Sequence, residues 1–435
     1  MLITLIIALF ILIGLILLRI NAFLAFLISS ISAGLIAGMD ISAVINAVEK
    51  GLGNSLGSLT IILGFGAVIG RFMAISGAAE QISSSLVQMV GPKYLKWAMM
   101  GIGFIVGLPM FFAVGFVILV PIVFSIAKKA GVSIIYLGIP LVASLSVAHG
   151  LLPPHPAPVA LVQLFNADMG ETIFYGIVIA IPAMILAGPL FASALKKIEV
   201  EPLKIFISEP PNSGSTPSLW ISVFCALLPI FLLMSETIFK SWINTSSWIF
   251  DIMLFVSQPI VAMLISVVVI AYLLGIKQGK KLSEIMKTLE ESISGIAMIL
   301  LIIGGAGALN QDFAEIGLTD YLVSVLRDID ISPIILCWGM AAIIRIAIGS
   351  ATVAALTTAG LLAPVYASIS MNPVLLVLAT GSGSLIFSHV NDGGFWLFKE
   401  YFNLSIKQTL LSWSMMETLI AVCGLAACLF LNMFI

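Results

Sequence analysis

Two stretches of this chain put histidine, serine, asparagine and aspartate where a bilayer-spanning helix has no use for them. The first, Ser144 to Pro158, reads Ser-Leu-Ser-Val-Ala-His-Gly-Leu-Leu-Pro-Pro-His-Pro-Ala-Pro, inside a run from Ala130 to Ala167 without Asp, Glu, Lys or Arg. The second, Ser384 to Asp392, reads Ser-Leu-Ile-Phe-Ser-His-Val-Asn-Asp. Adding 240 to Ser144, Leu145 and His149 gives Ser384, Leu385 and His389. Proline removes a helical amide donor and frees a carbonyl one turn back, and polar groups inside a bilayer are costly unless paired. The two stretches therefore read as broken helices, one per half of a repeated chain, meeting around a buried polar site. The competing reading is a pair of proline-kinked spans with solvated ends.

His149 and His155 flank the first break. Imidazole there can hydrogen-bond a hydroxylated solute or an anion, or carry a proton, its ordinary pKa being about 6.5; a purely structural hydrogen bond is the alternative. Ser388, His389, Asn391 and Asp392 form the matching cluster, with Asp392 and His389 as candidate proton carriers. Burial raises a carboxyl's proton affinity, although Asp392 can equally pair with a cation. Arg345 stands four residues before Gly349, where a permanent cation suits two-pronged contact with a carboxylate; snorkelling or pairing with an acid competes. Gly349, Ser350 and Thr352 would offer amides and hydroxyls beside it, and Gly107 and Gly115 would do so opposite, with Phe111 and Phe112 as an apolar wall. Small residues also serve helix packing. Arg71, Asn310, Gln311 and Asp312 sit at matched ends of two spans and read as interface or gate residues.

These groups belong to an oily chain. Hydrophobic residues make up 61% and charged residues 9%, with mean hydropathy +1.21; soluble domains carry about 25% charged residues. That is the composition of a polytopic membrane protein held in a lipid bilayer, and a net charge of −2 gives no nucleic-acid footprint. Cys225, Cys337, Cys423 and Cys428 lie in apolar runs without a Cys-x-x-Cys pair, so neither a disulfide framework nor a metal site is expected. Walker, HExxH and nucleophile-elbow patterns are missing, so ATP-driven transport and intramembrane hydrolysis have no support, and neither an enzyme nor a cofactor is expected.

The expected fold is all-α, with inverted repeats, about ten transmembrane helices, two opposed re-entrant hairpins and two broken helices. The first repeat would cover 1–195: three spans (the third from about Leu56 to Ile75, after an amphipathic connection), a hairpin at 97–127, a broken helix at 133–165 and a return span. A polar linker is expected at 196–217. The second repeat, 218–435, would hold a hairpin at 331–370 and a broken helix at 373–398. Lysines at both ends of 97–127 favour a hairpin over one long kinked helix, with breakers at Gly107-Leu108-Pro109. Lys277, Lys280, Lys281 and Lys287 mark the cytoplasmic side, which inverts the second half relative to the first and leaves both termini outside.

Several motifs together resemble the gluconate permease family, the gluconate:proton symporters of the ion-transporter superfamily. They are Gly-Phe-Gly-Ala-Val-Ile-Gly at 64–70, Ala-His-Gly-Leu-Leu-Pro-Pro-His-Pro at 148–156, Phe-Asn-Ala-Asp-Met-Gly at 165–170, Arg-Ile-Ala-Ile-Gly-Ser-Ala-Thr-Val-Ala at 345–354, Gly-Ser-Gly-Ser-Leu-Ile-Phe-Ser-His-Val-Asn-Asp at 381–392 and Phe-Trp-Leu-Phe-Lys-Glu-Tyr-Phe at 395–402. The resemblance implies proton-coupled uptake of gluconate or a close sugar acid across a bacterial inner membrane. It also implies a homodimer with a fixed scaffold and a moving transport domain. On that footing Arg345 and the tip donors would hold the carboxylate, and His149, Asn391 and freed backbone the hydroxyls. Two departures stand out. The family commonly carries an acid where this chain has Ala113, natural or introduced, which moves proton coupling onto Asp392 or a histidine or weakens it. Gly393 replaces a frequent proline, loosening the second break. D-serine or another small hydroxy-carboxylate, sodium coupling, and passive facilitation are the alternatives.

Overall fold

The computed structural model describes residues 2–196, 198, 216–239, 247–317, 331–366, 371–390 and 392–435. Every regular element among them is helical. The first half holds α1 (Leu2–Leu17), α2 (Ala22–Ile36), α3 (Ile41–Ile75), α4 (Ala78–Val90), α5 (Leu95–Gly107), α6 (Phe112–Ala130), α7 (Ile134–Leu151), α8 (Pro156–Leu164) and α9 (Met169–Ala194). The second holds α10 (Leu219–Leu233), α11 (Ser235–Phe239), α12 (Trp248–Ser257), α13 (Pro259–Leu274), α14 (Leu282–Gly295), α15 (Ala297–Glu315), α16 (Pro333–Ile348), α17 (Ala351–Tyr366), α18 (Pro373–Gly383), α19 (Gly393–Tyr401) and α20 (Ile406–Leu431). Helices α9 and α20 each contain a π-helical turn, at Leu186–Leu190 and Leu410–Ser414. The expected linker at 196–217 lies largely outside the described residues, as do 367–370 of the second expected hairpin.

Six stretches among the described residues are long and apolar enough to cross a bilayer: α6, α7 with α8, α9, α13, α15 and α20. Helix α3 makes a seventh if its bent halves count as one span. Eight shorter apolar helices accompany them, so length alone marks fewer full spans than the ten expected. The expected amphipathic connection before the third span is helical instead. Helix α3 runs on from Ile41 to Ile75 with a 41° bend between Gly57 and Leu59. Gly51 serves close contact: a Cβ there would meet the backbone of Gly307 and Ala308 on α15. Helices α12 and α13 meet at Gln258, with Pro259 opening α13, where a missing N–H costs nothing.

The helix breaks fall where the breakers cluster. Helix α5 ends at Gly107 and α6 starts at Phe112, with Pro109 between. Helix α16 ends at Ile348 and is capped by Gly349, which takes a left-handed conformation (φ +85°) that glycine adopts at no steric cost. Helix α7 ends at Leu151, and after Pro153 and Pro154 the chain resumes at Pro156. Helices α18 and α19 are separated by residues 384–392.

Two sets of helices pack closely. Helices α2, α3 and α15 pack together, and Ser30 on α2 donates to buried Asp312 on α15, an interface role for that acid. Helices α7, α9, α18 and α20 pack on one another across the two halves, while α5 lies along α7 and α16 along α18. Glycines allow the closest crossings. Gly103 faces the Leu141 carbonyl, Gly381 the Gly150 carbonyl and Gly383 the Trp338 backbone. Gly381→Val would push a side chain into that carbonyl and should destabilise the protein by roughly 1–3 kcal/mol. Gly53→Ala, with nothing within 4 Å, should be neutral or stabilise by about 0.5–1 kcal/mol. Thermal unfolding in detergent checks this, and equal midpoints for the two variants would refute the tight crossing.

Candidate functional site

A cavity of about 340 Å³ opens where the breaks converge. Phe112 at the start of α6, Ser146 and His149 near the end of α7, and Trp413 and Glu417 of α20 form one side. Arg345 with residues 348–352 of the α16–α17 turn, and Leu385 with Asp392, Gly393 and Gly394 of the second break, form the other. Three helices therefore begin at this wall: α6, α17 and α19. A helix start carries a partial positive charge and unpaired N–H groups, so three of them favour a negatively charged guest.

The polar side chains form one connected set. Arg345 is 3% exposed, and its guanidinium donates to the Gly349 carbonyl and, at 2.5 Å, to Asp392 Oδ2. Its Nε–H has no partner. Asp392 Oδ2 also accepts from the Ser388 hydroxyl, and Oδ1 accepts the Gly394 N–H at 3.0 Å, capping α19. Trp413 Nε1 donates to Ser388 Oγ at 2.7 Å, and the Ser414 hydroxyl donates to the Ser388 carbonyl. The Asp392 carboxylate thus accepts from Arg345, Ser388 and Gly394.

Of the residues expected to form the site, His149, Arg345, Gly349, Ser350, Thr352 and Asp392 line the cavity. Others stand behind it. His155 is buried and donates through Nε2 to the Gly107 carbonyl at 2.9 Å, with its ring 5.2 Å from that of His149 and 6.4 Å from that of Phe111. Gly107 and Gly115 both face Leu145, so they serve packing. Ser388 braces Asp392 from behind. His389 is turned away to the Ile346 carbonyl, 3.0 Å distant, and does not line the cavity. Ala113 is exposed on the first turn of α6, outside the lining. Asn391 lies outside the described residues.

Glu417 is the ionisable lining residue that sequence reasoning missed. It lines the cavity, is 1% exposed, and neither carboxylate oxygen has a hydrogen-bond partner. The signal was present, since Glu417 is the one acid between Tyr401 and the C-terminus, inside an apolar span.

The description "GntP family permease" matches residues 1–434. The chain is 43% identical to a high-affinity gluconate transporter of Escherichia coli (strain K12), over 96% of this chain and 95% of that one. It is 42% identical to the Gnt-II system L-idonate transporter of the same organism, over 95% and 94%. Its fold is similar to that of the YdaH transporter of Alcanivorax borkumensis, with a TM-score of 0.70 at 14% identity, covering 94% of this chain and 98% of that one.

The Arg345–Asp392 pair generates a test of the site's architecture. Arg345→Met leaves the largely buried Asp392 charge without its cation and should destabilise by roughly 3–5 kcal/mol. Arg345→Met with Asp392→Asn, which removes the orphaned charge but keeps the α19 cap, should recover most of that loss. Thermal unfolding of the two single variants and the double variant forms the cycle, and strict additivity would show that the pair does not couple.

Proposed function

The chain belongs to the GntP permease family, and we propose that it brings gluconate or a closely related sugar acid into the cell together with protons. It is a multi-pass protein of the bacterial inner membrane and not an enzyme. One observation carries the substrate class. Arg345 is the permanent cation of the cavity among its described lining residues; it keeps an unpartnered Nε–H and is ringed by three helix starts. That arrangement suits a carboxylate. The Ser350 and Thr352 hydroxyls and His149 then stand within the same cavity for a hydroxylated chain. The names of the relatives, gluconate and L-idonate transporters, agree with that chemistry.

Charge balance supports proton coupling. Asp392 already neutralises Arg345, so an entering carboxylate adds a negative charge that nothing permanent in the lining offsets. An uncompensated charge in a poorly solvated site costs several kcal/mol, and a bound proton removes it. Recurring element order supports the transport architecture. Helices α5 to α9 are replayed by α16 to α20, and α5 on α7 recurs as α16 on α18. We read these as inverted repeats whose helix pairs α5–α6 and α16–α17 are re-entrant hairpins. The group α2, α3 and α15 would be the scaffold and dimer side, and the group around α7 and α18 the moving part.

Reconstituted in liposomes, the protein should accumulate labelled gluconate when the outside is made acidic, with or without sodium, and should exchange labelled for unlabelled gluconate saturably. Arg345→Lys keeps the charge but loses the planar fork and should weaken apparent affinity about 10- to 100-fold, the worth of charged hydrogen bonds of about 1.5–3 kcal/mol. Uptake that requires sodium and ignores pH, exchange that does not saturate, or D-serine outcompeting gluconate would each overturn this assignment.

A further inference from the structure

We propose that Glu417 is the group that takes up and releases the transported proton; this rests on the reading of the cavity as a sugar-acid site and names its coupling residue. Glu417 sits on α20, buried at the cavity wall with both oxygens unpartnered. A buried carboxylate without a donor is the least stable arrangement for an anion and the most ready to bind a proton.

Of the other ionisable groups facing the site, Arg345 and Asp392 are committed to each other and to further partners, and His149, whose buried Nδ1 also lacks a partner, is the competing carrier. From α16 comes Arg345, donating to Gly349 and Asp392. From the second break comes Asp392, which holds Arg345, the Ser388 hydroxyl and the Gly394 N–H, so a proton added there would cost existing bonds. From α7 comes His149, against the rings of Phe112 and His155. The buried faces of α9 and α18, which also pack on α20, carry no ionisable side chain. Ser146 of α7 lines the same cavity without a hydrogen bond to either Glu417 oxygen.

The charge count then closes. Arg345 and Asp392 cancel, the sugar acid brings one negative charge, and an ionised Glu417 would add a second. A proton from the outer solution adds to a Glu417 oxygen as the anion enters, and both leave on the inner side. The carboxylate does not need to be at position 113, because Ala113 is exposed outside the lining.

The test is Glu417→Gln, which keeps shape and removes titration. With one proton per anion, an inward gradient of one pH unit supports about tenfold gluconate accumulation. The wild-type protein should approach that ratio. The variant should stay near a ratio of about one, with exchange that persists but no longer varies with pH, and Glu417→Asp should restore pH dependence. Accumulation by Glu417→Gln equal to wild type overturns the proposal. A substrate-free readout separates this from failure of the gluconate assignment. Infrared titration of the purified protein should show a protonated-carboxyl C=O band that Glu417→Gln abolishes. If that band persists unchanged in the variant, Glu417 is not the carrier, whatever solute is moved; if it vanishes while gluconate is not transported, only the solute is wrong.

Discussion

The buried contact between Arg345 and Asp392 is the constraint on which the site depends. The guanidinium closes its own helix by donating to the Gly349 carbonyl, one of the acceptors a helix end leaves unpaired. Asp392 does the same service for α19 by capping the Gly394 N–H. One ion pair therefore joins the end of α16 to the start of α19, and through Ser388 it reaches Trp413 on α20. Three separate elements are held as a unit. The pair must also be tolerated in a low-dielectric setting, where a lone member would be far more costly than the two together.

Around that pair the backbone obeys the rule that irregular chain at membrane depth survives only where protein or a wet cavity satisfies it. The second break and the starts of α6, α17 and α19 all face the cavity or its polar wall. The first break is covered by a different device. His155 supplies a donor to the Gly107 carbonyl, so that the end of α5 is satisfied by the broken helix packed on it. Glycines at Gly103, Gly381 and Gly383 bring the supporting helices to backbone contact, and dispersion over such surfaces, rather than the hydrophobic effect, holds helices together in lipid.

The breaks were legible because proline and glycine act locally: Pro109, Gly349 and Pro153 with Pro154 interrupt helices for reasons confined to their own turn. The cavity membership of His149, Arg345, Gly349, Ser350, Thr352 and Asp392 was legible too, since polar types in apolar runs have few uses. Facing was not. His149 and His389 share an offset of 240, yet one lines the cavity and the other turns to the Ile346 carbonyl. Gly107 and Gly115 look like tip donors but pack on Leu145. Glu417 comes after the π turn at Leu410–Ser414, which inserts a residue and rotates the remainder of α20 by about 100° relative to a plain α-helix. A straight helical projection from the start of α20 would aim it elsewhere.

The two halves bring different chemistry to the cavity, and that difference suits the solute proposed. The first contributes Phe112, His149 and Ser146, groups for stacking and neutral hydrogen bonds; the second contributes Arg345, Asp392 and the hydroxyls of Ser350 and Thr352. A sugar acid is itself lopsided, with one charged end and a chain of hydroxyls. Had both tips carried an arginine, an anion would find a cation to spare and could bind without a proton. With one cation, already matched by Asp392, the proposed coupling of anion to proton has an electrostatic reason. On the reading proposed above, the unmatched charge creates the need for a proton, and Glu417 of the second half is placed to take it up.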